Sequence, residues 1–402
     1  MNEPIYSVQS IQTSEVVYAD TVSLTDYLLF TAVSQQASDI HIQFQEYDVV
    51  VRLRIDGVLA PFIYLARQQA QQMLSRIKIM MSLDSTQTHE PQDGAVRLHV
   101  AKKIIDIRGS FFPSLQGEKA VIRLLEGHYG MVQLHTLPFA STVIQALYAV
   151  ARQDQGLFLV TGPTGSGKTT TLYALLQAID RISRNVVTLE NPVEYRIAHV
   201  TQTQIDTTHS LTFAQAVRSL LRQDPDVALI GELRDADTVH SAVEAALTGH
   251  LVLSSLHAGR ASGVPIRLRE MGVETYLIAH ALKGVLAQRL LLKLCEHCKI
   301  TVPLSTQERT WVLRQGLSLE STGFAPGCPI CRYTGCQGQI VIAELWQCDG
   351  VALGHLLQDP ATGQEDFERL AKKTGMVPLL VAGAALVRQG VVALSELMNR
   401  DL

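Results

Sequence analysis

The stretch LVTGPTGSGKTTTLYALL, residues 159–176, sets a glycine-rich loop between an apolar run and a helical one. Residues 157–160 are all apolar and predict a buried strand. Residues 162–169 fit the pattern G-x-x-x-x-G-K-[ST], and residues 170–179 have the spacing of a helix. Glycines in such a loop let backbone N–H groups turn inward around phosphate oxygens, at the positive end of the helix that follows. The cradle would comprise Gly162, Pro163, Thr164, Gly165, Ser166, Gly167, Lys168, Thr169 and Thr170. Lys168 is expected to reach the outer phosphates and Thr169 to offer its hydroxyl to Mg²⁺. The motif predicts a bound nucleoside triphosphate; a strand–helix turn without a ligand would leave the full pattern unexplained.

Outward from this loop, strand and helix alternate. Strands are expected at 185–190, 227–231 and 250–257, with helices at 212–223 and 238–247 between them. That order implies a mostly parallel sheet with crossover helices and chemistry at the strand ends. Two further helices, 264–271 and 276–292, lead into a cysteine-bearing module and a helical tail. Upstream, residues 1–20 carry no readable pattern. DIHIQFQ and DVVVRLRIDGVLA predict paired strands turning at Asp56-Gly57, and RQQAQQMLSRIKIMM predicts an amphipathic helix. KKIIDIRGSFF and EKAVIRLL predict strands joined by a loop at 113–117, which completes a small α+β domain.

The chain has 402 residues, 47% of them hydrophobic, enough for two to three domains with buried cores. A net charge of −4 with both signs interspersed argues against a protein that coats duplex nucleic acid. The first residues, MNEPIYSVQSIQ, lack the basic and apolar regions of a signal peptide. No stretch reaches the roughly 20 apolar residues of a spanning helix. A soluble, cytoplasmic chain is expected.

Hydrolysis of a nucleotide needs a metal anchor and a group that orients or deprotonates water. In VALIGELRD, Glu232 ends an apolar strand, where a Walker B acid belongs; a plain surface acid is the alternative. TLENPVEY offers Glu190 and Glu194 on either side of a turn forced by Pro192. Arg218 and Arg222 are four apart and are expected on one helix face. Arg108 and Arg123 lie on predicted strands, where an arginine is ordinarily solvated or ion-paired. His250 and His257 bracket a strand, too far apart to share a metal locally.

Four of the six cysteines form two CxxC pairs, Cys295/Cys298 and Cys328/Cys331, with 29 residues between them. Two such knuckles supply four thiolates for a tetrahedral Zn²⁺ site, a reading the pairing favours over a redox dithiol. Cys336 and Cys348 lack that spacing, and His297 reads as a bystander inside the first knuckle.

Together these motifs resemble the secretion-ATPase superfamily that powers type II secretion and type IV pilus assembly. The resemblance runs from ASDIHIQ near residue 37 to the end of the chain. It rests on VRLRIDGVL, PQDGAVRL, GEKAVIRLL, GPTGSGKTTTLY, NPVEY, LLRQDPDVALIGELRD, LTGHLVLSSLH and LAQRLLLKLCEHC. It implies a PAS-like α+β domain at 21–127 after a 1–20 extension, a linker at 128–138, and a RecA-like α/β ATPase domain at 139–402. The last would include a zinc module at 293–345 and a helical tail at 350–402.

The resemblance also implies roles. Glu194 would activate water, and Glu232 would hold Mg²⁺. His250 and His257 would lie on the γ-phosphate side, and Arg108, Arg123, Arg218 and Arg222 would contact phosphate. ATP, Mg²⁺ and structural Zn²⁺ are the implied cofactors. The implied assembly is a homo-hexamer working on an inner-membrane platform protein and, through it, on pilin-like subunits, from the cytoplasmic face of the membrane.

Two positions depart from the family pattern. An acidic pair expected beside Pro192 reads Glu190-Asn191, and a basic triplet after the cysteines reads Gln337-Gly338-Gln339. The tetracysteine pattern fits the assembly branch better than retraction motors. A nucleic-acid translocase and a catalytically silent scaffold are the competing classes. The first would call for a basic, aromatic-lined channel that the sequence does not show, and the second is kept open by Asn191.

Overall fold

At Asp56-Gly57 both backbone φ angles are positive, 51° and 82°, the geometry of a two-residue hairpin turn whose twist matches that of its strands. The turn belongs to the first of two compact units, Met1–Gly130 and Met131–Leu402. The computed structural model describes residues 6–8, 20–100, 103–126, 132–205 and 213–400.

The first unit runs β1 (Tyr6–Val8), α1 (Thr21–Ser34), β2 (Asp39–Phe44), β3 (Val49–Ile55), β4 (Val58–Leu65) and α2 (Arg67–Met80). It continues through β5 (Gln92–Val100), β6 (Lys103–Ser114) and β7 (Gly117–Glu126). The sheet order is β1-β5-β6-β7-β2-β3-β4, antiparallel except for the parallel β1–β5 pair. Alternation along the strands sends Ile40, Ile42, Val51, Leu53, Ile105 and Ile107 to one face, where Leu28, Leu29, Met73 and Leu74 of the two helices cover them. Each such fully buried aliphatic side chain contributes about 1.5–3 kcal/mol. Asp20 caps α1 by accepting the Ser23 N–H at 2.8 Å.

Two expectations change here. Residues 6–8, which carry no sequence signal, pair with β5. The loop expected at 113–117 shrinks to a two-residue tip, because the β6–β7 ladder continues to Ser114 and Gly117.

The second unit begins within the expected linker. Residues 127–131 lie outside the described residues, but Leu134 is buried against the core beside β8 and α4 (ranges below). The elements are then α3 (Ser141–Ala151), β8 (Gly156–Thr161), α4 (Lys168–Ala178), β9 (Val186–Glu190), β10 (Thr201–Gln204), α5 (Phe213–Leu220) and β11 (Val227–Ile230). Next come α6 (Ala236–Leu247), β12 (Leu251–Leu256), α7 (Val264–Glu270), α8 (Thr275–Ala281) and β13 (Leu282–Leu294). The cysteine region holds β14 (Ile300–Pro303), α9 (Thr306–Arg314) and β15 (Ser321–Phe324), before β16 (Cys336–Gln347). The tail is helical: α10 (Gly350–Gln358), α11 (Gln364–Lys373), α12 (Leu379–Arg388) and α13 (Leu394–Met398).

The main sheet of this unit has the order β10-β9-β11-β12-β8-β13-β16, parallel throughout except for the β13–β16 pair. This is the RecA-like α/β layout, with β8, β12, β11 and β9 buried along their whole length.

The helix expected at 276–292 is the largest correction. It ends at Ala281, and Leu282–Leu294 is instead a strand between β8 and β16. Its leucines, alanine and lysines favour a helix locally, but pairing on both edges and burial on both faces override that preference. Gly284 marks the tight place: a Cβ there would come within 3.1 Å of the Phe158 ring. The cysteine module is correspondingly an insertion between β13 and β16 rather than a block reaching residue 345. Among the described residues, no helix is long and apolar enough to cross a membrane.

Candidate active site

Four neighbouring parallel strands deliver the candidate residues to one edge of the sheet. The glycine loop follows β8, His257 follows β12, Glu232 lies just past β11, and the Glu190–Glu194 turn ends β9. Each step from strand to strand is about 4.8 Å, so topology alone lines these groups up at the carboxyl ends of the strands.

The loop has the shape its glycines predict. Gly162 adopts φ 147° and Gly167 adopts φ 87°, and Gly167 caps α4, which starts at Lys168. Lys168 Nζ donates to the Gly162 and Pro163 carbonyls at 2.9 and 3.0 Å. Burial lowers the Lys168 pKa below its ordinary value, and the Glu232 charge opposes that shift. Thr169 and Thr170 are exposed in the first turn of α4, and Gly165 has open space on its side-chain face. The loop and helix start thus fit a polyphosphate, with Thr169 and Glu232 as the oxygen donors a hard cation such as Mg²⁺ takes.

Glu232 is placed by the serines before His257. Ser255 Oγ donates to the Gly231 carbonyl at 2.7 Å, and the Leu233 N–H donates to the Ser255 carbonyl at 2.9 Å. The Glu232 carboxylate pairs with Arg234 and lies 3.7 Å from His257 Nε2. Glu190 differs from the sequence expectation of an available acid. It is 3% exposed and accepts from the Tyr173 hydroxyl, from Thr188 Oγ1 at 2.6 Å and from Gln202 Nε2 at 3.3 Å. The Glu194 N–H in turn donates to the Tyr173 hydroxyl at 3.2 Å.

Three sequence candidates are not brought to this edge. His250 precedes β12, whose Leu251 pairs with Gly156 at the start of β8, so it sits roughly 20 Å from the loop. There its Nδ1 contacts the Ala245 carbonyl at 2.9 Å. Arg218 and Arg222 lie where α5 returns to the start of β11, also at the far edge. They do not share a regular helix face either. Residues 221–223 tighten into a 3₁₀ turn closed by Asp224 at φ 52° and Pro225, and Arg222 Nη1 donates to the Arg218 carbonyl at 3.0 Å.

Arg108 and Arg123 belong to the first unit, as direct cross-strand partners on the face away from its helices. Arg123 Nε donates to Asp39 Oδ1 at 3.0 Å.

The paired cysteines converge. Cys295, Cys298, Cys328 and Cys331 have their sulfurs within 4.8 Å of one another, with Cys295–Cys328 and Cys298–Cys331 both at 3.9 Å. A tetrahedron with Zn–S bonds near 2.3 Å has sulfurs about 3.8 Å apart, so this donor set fits zinc. Cys336, Cys348 and His297 stand outside the cluster. Cys348 is half-buried against the core, and burial of its thiol pushes its pKa far up, which disfavours the reactive thiolate.

Residues 18–399 match the family described as "Type II/IV secretion system protein". The chain belongs to this family. It is 42% identical over 335 residues to the type II secretion system protein E of Pectobacterium carotovorum subsp. carotovorum, covering 81% of this chain and 65% of that one. To the type II secretion system ATPase E of Vibrio cholerae serotype O1 it is 39% identical over 381 residues, 95% of this chain and 75% of the relative. The match therefore spans 65% and 75% of the length of these two relatives. Among solved structures, the Legionella pneumophila ATPase DotB aligns over 98% of this chain and 97% of that one, with TM-score 0.71 and 20% identity, a likeness of fold.

Sequence reading missed Gln288 of β13, which reaches the loop from the strand mistaken for a helix. The LAQRLLLKL run carries it, and reading that run as a central strand beside β8 would have placed it at the loop.

Proposed function

We propose that this chain is the ATPase subunit of a motor that assembles a type IV pilus, a pseudopilus or a type II secretion system. The reaction is ATP plus water to ADP plus phosphate. In this reading a homo-hexamer, cytoplasmic and peripheral to the inner face of the membrane, moves an inner-membrane platform protein and thereby adds pilin-like subunits. It takes no nucleic acid directly. The observation that carries the reading is the alignment, in a member of this family, of the P-loop, Glu232 with His257, and Glu194 at the ends of successive parallel strands.

Lys168 and the loop N–H groups bind the outer phosphates, and Glu194 accepts the proton of the attacking water. Thr169 and Glu232 hold Mg²⁺, which supplies neutralisation of phosphate charge. His257 orients the Glu232 carboxylate. Arg108 and Arg123 lend positive charge from the N-terminal domain, here residues 21–127, while Arg218, Arg222 and His250 are left to other surfaces. The four clustered cysteines hold a structural Zn²⁺, which favours assembly over retraction within this resemblance.

The test is Mg²⁺-dependent ATP hydrolysis by the full chain and by Lys168→Ala. The variant is expected to lose at least about a hundredfold in turnover with an unchanged circular dichroism spectrum. Full turnover in the variant, or none in the parent chain, overturns the reading.

A further inference from the structure

We propose that Gln288 is a positioning residue of the nucleotide site, whose buried amide presets the P-loop for a nucleoside phosphate. This rests on the reading of the loop as that site, and it adds a residue 122 positions away from the contact it makes. Gln288 is 1% exposed and follows Ala287, which pairs with Thr161 at the end of β8. Its Nε2 donates to the Ser166 carbonyl at 2.6 Å, and its Oε1 accepts from Thr171 Oγ1 at 2.9 Å. One amide thereby grips both the loop and the first turn of α4.

The grip fixes direction as well as distance. In a trans peptide the C=O and the next N–H point opposite ways. Holding the Ser166 carbonyl on Gln288 therefore turns the Gly167 N–H away from β13, and Gly167 N–H is one of the donors a phosphate needs at the start of α4. The amide cannot be reversed without setting its oxygen against the Ser166 carbonyl.

The glycines of the motif fit the same contact. A Cβ on Gly162 would come within 2.5 Å of the Gln288 carbonyl oxygen, and one on Gly167 within 3.1 Å of its Nε2. The loop is thus seated on β13 at two points besides the hydrogen bond. The next residue, Arg289, donates to the Gly259 carbonyl at 2.6 Å and holds the segment after His257 from the same strand.

A buried amide is costly unless both ends are bonded, which makes three variants informative. Gln288→Leu removes both bonds, Gln288→Glu sets a carboxylate against the Ser166 carbonyl, and Thr171→Val removes one bond while keeping the side-chain shape. The full chain and each variant are titrated with a fluorescent ADP in the presence of Mg²⁺, alongside thermal melts and hydrogen exchange of residues 163–168 without nucleotide.

Gln288→Leu is expected to raise the ADP dissociation constant about tenfold, and Thr171→Val about threefold, with melting temperatures within a few degrees of the parent. Gln288→Glu should bind more weakly still. Exchange at 163–168 should quicken in Gln288→Leu while β8 stays protected, a change that packing alone would not confine to the loop. If the parent chain binds no ADP, the nucleotide-site reading itself fails. If the parent binds and folded variants bind equally well, this inference alone fails. Should Gln288→Leu not fold, Thr171→Val decides, and an unchanged dissociation constant there overturns the role.

Discussion

Tyr173 and Glu190 share a hydrogen bond inside the second unit, joining the helix that begins at the P-loop to the strand that ends at the Glu194 turn. Tyr173 is fully buried, and its hydroxyl also accepts the Glu194 N–H. Burial first, and the Glu190 charge second, push the Tyr173 hydroxyl pKa far up, so it remains a donor to the carboxylate. The Tyr195 ring packs edge-on against it at 4.6 Å, and burial pushes that hydroxyl up to about 12. The phosphate loop and the acid turn are therefore braced through one phenol.

Tyr173→Phe leaves the Glu190 carboxylate buried with two weaker neutral donors. The expected loss is about 1–3 kcal/mol in urea unfolding, the cost of an unsatisfied buried acceptor. Because the Glu194 turn also loses its tether, turnover should fall more than nucleotide affinity. A variant with the parent's unfolding midpoint and turnover would show that the phenol braces nothing.

Glu194→Gln is expected to keep ATP binding and lose hydrolysis, since an amide cannot accept the proton of water. Glu232→Gln should lower turnover chiefly by misplacing Mg²⁺, so raising Mg²⁺ should restore it in part. That difference in Mg²⁺ dependence separates the two acids, and normal hydrolysis by Glu194→Gln would remove Glu194 from the role. Asn191→Asp should change the rate modestly, because in the proposed mechanism Glu194, and neither Glu190 nor Asn191, accepts the proton. A rise from silence to robust turnover would instead favour the scaffold class.

The parts of this molecule that announce themselves locally were legible in the sequence. The P-loop, the Asp56-Gly57 hairpin and the paired CxxC knuckles each rest on backbone geometry that only a few residue types allow. The strand β13 did not, because Leu, Ala, Gln and Lys suit a helix and only its neighbours β8 and β16 make it a strand. Gln288 was hidden by the same error. The burial of Glu190 was hidden because Tyr173, Thr188 and Gln202 meet it only in three dimensions. The separation of His250 from His257 follows from the direction of one strand, whose two ends lie on opposite edges of the sheet.

The cysteine cluster should carry one Zn²⁺ per chain when the protein is purified without chelator. Closing four thiolates around a metal contributes folding free energy directly, so Cys295→Ser or Cys328→Ser should lower metal content and melting temperature together. Cys336→Ser should leave the metal content unchanged, because its sulfur is outside the cluster. Metal analysis that finds no zinc in the parent chain, or full zinc in Cys295→Ser, would contradict the site.

Arg108, Arg123, Asp39 and Arg54 are successive cross-strand partners, one carboxylate among three guanidinium groups. Asp39 is 6% exposed and is held by Arg123 at 3.0 Å and Arg54 at 3.6 Å, so it steers the arginines as well as neutralising part of their charge. In the proposed role of Arg108 and Arg123, this row should matter most where charge develops, in the transition state. Arg123→Ala should then lower turnover by about tenfold or more and ADP affinity by no more than about twofold. Asp39→Asn frees Arg123 from its anchor and should lower turnover less, without changing nucleotide affinity. In a ring that closes and reopens around ATP, specific activity should also rise with protein concentration as hexamers form, and Arg123→Ala should still assemble. A monomer at micromolar concentration with full turnover would exclude the ring, and an Arg123→Ala chain with parental turnover would exclude the arginine row from the chemistry.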